Sequence, residues 1–310
     1  MRRRGHRSRA VAVTAAAALL GIVGTAGCDA VGGNEAAPTG STSRSKPSTD
    51  STTWNLSPNS IAAVGDSITR AFDACEALSD CPKVSWATGS DAKVDSLALR
   101  LLGKSGAAQR SWNYAKTGAQ MAELDDQLAQ AATRKPELVT VLAGANDACQ
   151  PTVAAMTSVP DFRAQFEDAM NTLREASPKT QVFVASVPDL KRLWSIGRTN
   201  ELSKEMWKLG ICSSMLAEPD DLGAAASSRR DKVQDRVKEY NAVLEDVCEK
   251  DKLCRFDGGA VYKYRFDAAQ LSTVDWFHPS TSGQKLLAEM AYRVVTAPEP
   301  DDLKLPTSSG

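Results

Sequence analysis

The stretch Ile61-Ala62-Ala63-Val64-Gly65-Asp66-Ser67-Ile68-Thr69 decides how this chain is read. Its first four residues are apolar and brief, the pattern of a strand buried on both faces. Gly65 permits a tight turn. Ser67 is then expected to open a helix, its hydroxyl at the rim of the sheet where a helix N-terminus favours negative charge. A plain N-cap serine fits the same letters equally well. Two similar runs follow, Leu138-Val139-Thr140-Val141-Leu142 and Val182-Phe183-Val184-Ala185. Helical spacing appears at Phe162, Phe166, Met170 and Leu173, again from Val233 through Val237, Tyr240 and Leu244 to Val247, and at Leu286, Leu287, Met290 and Val294. Strands alternating with helices predict an α/β fold: a three-layer α/β/α domain with a mostly parallel central sheet. Such folds place chemistry at the carboxyl ends of their strands.

Outside that core the composition changes. Residues 1–9 are basic, and Ala10 to Gly27 are apolar but interrupted by Thr14, Gly21, Gly24 and Thr25. That is weak for a permanent span and fits an export signal over 1–27. The signal ends Thr25-Ala26-Gly27-Cys28, which resembles a bacterial lipobox with threonine in place of leucine. Acylation of Cys28 and anchoring at a membrane surface are therefore expected; cleavage without lipidation would give a secreted protein. Residues 28–53 are rich in Gly, Ser, Thr and Pro and read as a disordered tether, and 298–310 as a flexible tail. Between them, 54–297 shows no repeat or second linker, so one domain is expected. With 42% hydrophobic and 24% charged residues in 310, collagen-like, coiled-coil and mostly disordered classes are excluded. Five of the 37 basic residues precede Asp29, so the chain from Cys28 onward carries a net −6 rather than −1. That excess of acid argues against a nucleic-acid partner.

Seven cysteines suit an oxidising compartment. Setting Cys28 aside leaves six, which allow 15 connectivities. The expected set is Cys75–Cys81, Cys149–Cys212 and Cys248–Cys254, two local loops and one long-range staple. A structural zinc lacks C-x-x-C pairs and a second histidine after the signal.

Three further segments carry chemistry. Leu142-Ala143-Gly144-Ala145-Asn146-Asp147 closes a strand and can aim the Asn146 amide into the crevice, although polar turns often end strands this way. Asn113-Tyr114-Ala115-Lys116-Thr117-Gly118 offers a backbone N–H at Gly118. His278, in Val274-Asp275-Trp276-Phe277-His278-Pro279-Ser280, is the one histidine outside the signal. Asp275, three residues upstream, can reach its Nδ1 on a turn. The helix after it is expected to be capped by Ser280 or Thr281.

Together these four blocks resemble the GDSL or SGNH hydrolases: a G-D-S after the first strand, a later glycine, a G-x-N-D, and a D-x-x-H-P. The resemblance implies an SGNH, flavodoxin-like fold and a serine ester hydrolase (esterase or lipase) without cofactor or metal. It implies Ser67 as nucleophile, His278 as general base and Asp275 as its orienting carboxylate. The oxyanion hole would be the Ser67 and Gly118 N–H groups and the Asn146 amide. Asp66 and Asp147 would hold turns. Ser85-Trp86-Ala87-Thr88-Gly89 and Cys149 are similar to features of the phospholipase B-like and actinobacterial lipase branches. A small-molecule or lipid ester substrate and a monomer are expected. Two rivals stand beside this reading: a carbohydrate O-deacetylase of the same fold, and a catalytically silent surface-binding lipoprotein. No G-x-S-x-G, H-E-x-x-H, Walker loop or G-x-G-x-x-G occurs.

Overall fold

The computed structural model describes residues 53–298. The signal, Cys28, the tether up to residue 52 and the tail beyond 298 lie outside the described residues. Five parallel strands form the sheet: β1 (Ile61–Gly65), β2 (Ser111–Asn113), β3 (Leu138–Leu142), β4 (Gln181–Val184) and β5 (Cys254–Phe256). Their order is β2-β1-β3-β4-β5, with Ile61 beside Leu138 and Gly65 beside Leu142. Every residue of β1, β3 and β4 is buried, which is why each reads as an unbroken apolar run. The edge strands β2 and β5 have three residues each and are half-buried. Trp112 and Arg255 at their centres give no periodic signal, so neither strand was foreseen.

β1 lies between β2 and β3, so the strand order reverses beside it, the position at which such folds place their ligands at the carboxyl ends. Helices cover the sheet. The helix Val159–Ala176 begins at Ser158, whose Oγ accepts the Asp161 N–H at 3.2 Å, and buries Phe162, Phe166, Ala169, Met170 and Leu173. It packs on the helices Leu124–Ala132 and Ala224–Glu249. Phe162 stacks on Tyr240 with ring centroids 4.0 Å apart. Burial of each such side chain contributes about 1.5–3 kcal/mol. The last helix, Thr281–Thr296, is capped by the Ser280 hydroxyl, which accepts the Gly283 N–H at 3.2 Å.

The structure joins Cys75 to Cys81, Cys149 to Cys212, and Cys248 to Cys254. The first and last close six-residue separations, and the second closes one of 63. Among the described residues no helix is long and apolar enough to cross a membrane.

One local expectation is corrected. Ser67 does not open a helix: residues 66–75 form a chain of turns and bends. Ala71 and Asp73 sit at φ 53° and 57°, which regular helix excludes. The Ser67 site therefore has no helix dipole behind it.

Candidate active site

Gly65 ends β1 at φ 134°, and a Cβ there would lie 2.0 Å from the Leu142 carbonyl oxygen. The close approach of β1 to β3 thus demands glycine. The Gly65 N–H donates to Gln127 Oε1 at 2.7 Å, and Gln127 Nε2 donates back to the Gly65 carbonyl at 3.0 Å. Asp66 follows, fully buried, its Oδ1 accepting the Ile68 N–H at 2.9 Å. That bond tightens the turn that presents Ser67. Burial pushes the Asp66 carboxyl up to about 7, against the opposing pull of the Ile68 N–H and the His278 charge.

Ser67 is 6% exposed, and its Oγ lies 2.8 Å from His278 Nε2. On the far side of the ring, Nδ1 bonds Asp275 Oδ2. Asp275 is completely buried, and its Oδ1 accepts the N–H groups of Phe277 and His278, each at 3.0 Å. The loop carrying them is pinned twice. Ser272 N–H donates to the His278 carbonyl at 2.8 Å, and the Trp207 indole N–H donates to the Asp275 carbonyl at 2.7 Å. Burial alone would lower the histidine and raise the aspartate. The charge and hydrogen bond between them outweigh it, so His278 is held above its ordinary value and Asp275 below its own. Phe72 and Phe277 flank the imidazole, with centroids at 5.1 and 5.2 Å.

The candidate oxyanion donors follow β1, β2 and β3, at the carboxyl ends of adjacent strands. Lys116 N–H donates to the Gly65 carbonyl at 3.1 Å, which brings the turn of Gly118 to the end of β1. Gly118 is exposed at φ 84° with open space around it. Neither its N–H nor that of Ser67 donates a hydrogen bond among the described residues. Asn146 sits on the short helix Ala145–Ala148 just past β3, and its Nδ2 donates to the Ala119 carbonyl at 2.9 Å. That bond uses one amide hydrogen and leaves the other. Asp147 braces the same corner: Oδ2 accepts Met121 N–H at 2.9 Å and Oδ1 accepts the Thr157 hydroxyl at 2.7 Å. Burial raises Asp147 to about 6.

The GDSL-like Lipase/Acylhydrolase family model matches residues 63–286. The chain belongs to that family. Among curated proteins there is no significant match. Similar solved structures include the salicylyl-acyltransferase SsfX3 from a tetracycline biosynthetic pathway (18% identity, 79% of this chain and 56% of that one, TM-score 0.47). The extracellular lipase of Streptomyces rimosus is also similar (16%, 75% and 97%, 0.41). So is an active-site mutant of a family two carbohydrate esterase from Clostridium thermocellum (15%, 80% and 64%, 0.44).

Behind the serine turn of this GDSL-like hydrolase lies a buried polar brace. Ser85 Oγ and Asn113 Nδ2 both donate to the Thr69 carbonyl, at 2.7 and 3.1 Å. Gln284, from the last helix, donates to the Ile68 carbonyl at 2.8 Å and accepts the Trp86 N–H at 2.9 Å. Gln127 and Gln284 were not named from sequence, because a glutamine in a helical pattern looks like surface. Asp73 was missed too, and it stands close to the histidine. Asp73, Asp275 and His278 bring ligand-type atoms within 4.8 Å of one another. His278 Nδ1 is already bonded to Asp275 Oδ2, and Asp275 Oδ1 accepts two backbone N–H groups. Within the cluster, Asp275 and the imidazole form a hydrogen-bonded pair, and Asp73 Oδ2 stands beside it without a hydrogen-bond partner among the described residues.

Proposed function

We propose that this protein is an exported serine ester hydrolase that works through an acyl-enzyme. One observation carries the reading: Ser67 Oγ lies 2.8 Å from a histidine whose other nitrogen is bonded to a fully buried aspartate. In this reading His278 accepts the Ser67 proton as Oγ attacks the ester carbonyl. Asp275 fixes the tautomer and stabilises the imidazolium. The Ser67 and Gly118 N–H groups and the spare Asn146 amide hydrogen would stabilise the oxyanion, since fixed donors act most strongly where charge develops. His278 then returns its proton to the leaving alcohol, and water releases the acid by the reverse sequence.

The signal at 1–27, the lipidation of Cys28 and the tether belong to the same proposal. Three disulfides within the domain support an oxidising destination. The test is hydrolysis of p-nitrophenyl esters from acetyl to decanoyl by wild type and Ser67→Ala. Wild type should hydrolyse them, and Ser67→Ala should lose about 10⁴-fold or more. Undiminished turnover in that variant would refute the assignment. Preference for longer chains would mark a lipase, and activity on acetyl alone an O-deacetylase.

A further inference from the structure

Asp73 is a buried carboxyl that the proposed mechanism leaves unused. It stands on the turn that follows Ser67, two residues before the loop closed by Cys75–Cys81. Its backbone is fixed on both sides: its N–H donates to the Ser79 carbonyl at 3.0 Å, and its carbonyl accepts the Ser272 hydroxyl at 2.7 Å. Oδ1 accepts the Leu78 N–H. Oδ2 is buried with no hydrogen-bond partner among the described residues. Leaving a buried carboxylate oxygen unpaired costs about 1–3 kcal/mol or more, so such groups rarely persist without a purpose. Here the carboxyl lies within 4.8 Å of both the Asp275 carboxylate and a His278 ring nitrogen.

We propose that Asp73 is a positioning residue that acts through Asp275, placing a second negative charge behind the His278 imidazole. The inference rests on the Ser67–His278–Asp275 reading. As Ser67 attacks, the imidazole becomes positive, and two carboxylates behind it stabilise that charge more than one does. When protonated, Asp73 can instead donate to Asp275 and weaken its hold on the histidine. Burial and the Asp275 charge push Asp73 up to about 6, so it is ionised in mildly alkaline solution. The charged groups facing His278 are Asp275 on its own loop, Asp66 after β1 and Asp73. Asp73 also lines a cavity of about 630 Å³ together with Glu76, Lys93 and Lys285.

Asp73→Asn separates the charge from the fold. Asparagine tolerates φ 57° and still accepts the Leu78 N–H. With a p-nitrophenyl acetate assay from pH 5 to 9, this variant should show kcat lowered about 3- to 10-fold at pH 8 and KM within about twofold. Its acid limb should move to lower pH by up to about one unit, so the two profiles converge towards pH 5. Should Asp73→Asn not fold, Asp73→Gly, which suits that φ without strain, takes its place. An unshifted acid limb overturns the proposal, whether kcat is intact or uniformly reduced, and so does a change confined to KM. Failure of the underlying triad reading looks different: Ser67→Ala would then hydrolyse like wild type.

Discussion

The end of β1 and the segment 190–221 shape the same site by opposite means. At β1 the determinants are consecutive in the sequence: Gly65 lets two strands touch, Asp66 caps its own turn, and Ser67 follows directly. The segment 190–221 is held from afar. Trp207 reaches 68 residues along the chain to the Asp275 carbonyl. Cys212 is bonded to Cys149, three residues past Asn146. Arg230, buried in the long helix Ala224–Glu249, donates to the carbonyls of Met215, Ala217, Glu218 and Asp221. A strand end fixes its reactive group through backbone geometry that few residues satisfy. The segment 190–221 is fixed by partners that many sequences could supply, and it holds the Asp275 loop through a backbone carbonyl.

That contrast predicts a graded series of losses. Ser67→Ala and His278→Ala should each cost about 10⁴-fold or more in kcat, and the double variant little beyond either, because the pair acts as a unit. Additive losses in steady-state kinetics would break the coupling. Asn146→Ala should lower kcat by roughly 10²–10³ with a small change in KM, the usual cost of one oxyanion donor. A change in KM alone would make Asn146 a substrate-binding residue instead. Trp207→Phe should be mildest for activity, with kcat falling less than about tenfold. Denaturant unfolding should show about 1–3 kcal/mol lost, since the Asp275 carbonyl is left buried and unpaired. If Trp207→Phe cost as much kcat as Asn146→Ala, the segment 190–221 would be part of the reaction centre.

Legibility in the sequence follows the same division. β1, β3 and β4 are buried on both faces and show as apolar runs, whereas β2 and β5 are three-residue edges that carry no pattern. Ser67, Gly118, Asn146, Asp275 and His278 could be picked out because each lies in a short block tied to a turn. The helix expected after Ser67 fails because Ala71 and Asp73 are left-handed, a choice made by the disulfide-closed loop and by Ser272 from the other end of the domain. Gln127, Gln284 and Trp207 act across 62, 198–216 and 68 residues of sequence. Nothing adjacent to them announces it. Asp73 escaped for the same reason: its neighbour Asp275 is in space, not in sequence.

The most direct test of the central claim is covalent labelling of the intact protein with a fluorophosphonate, mapped by peptide mass and followed from pH 5 to 9. A single adduct should form, on Ser67. Its formation rate should rise with pH, because only the neutral imidazole can take the serine proton. Since Asp275 holds His278 above its ordinary value, the half-maximum should fall above about 6.5. No adduct, an adduct on another serine, or a rate flat between pH 5 and 8 would contradict it.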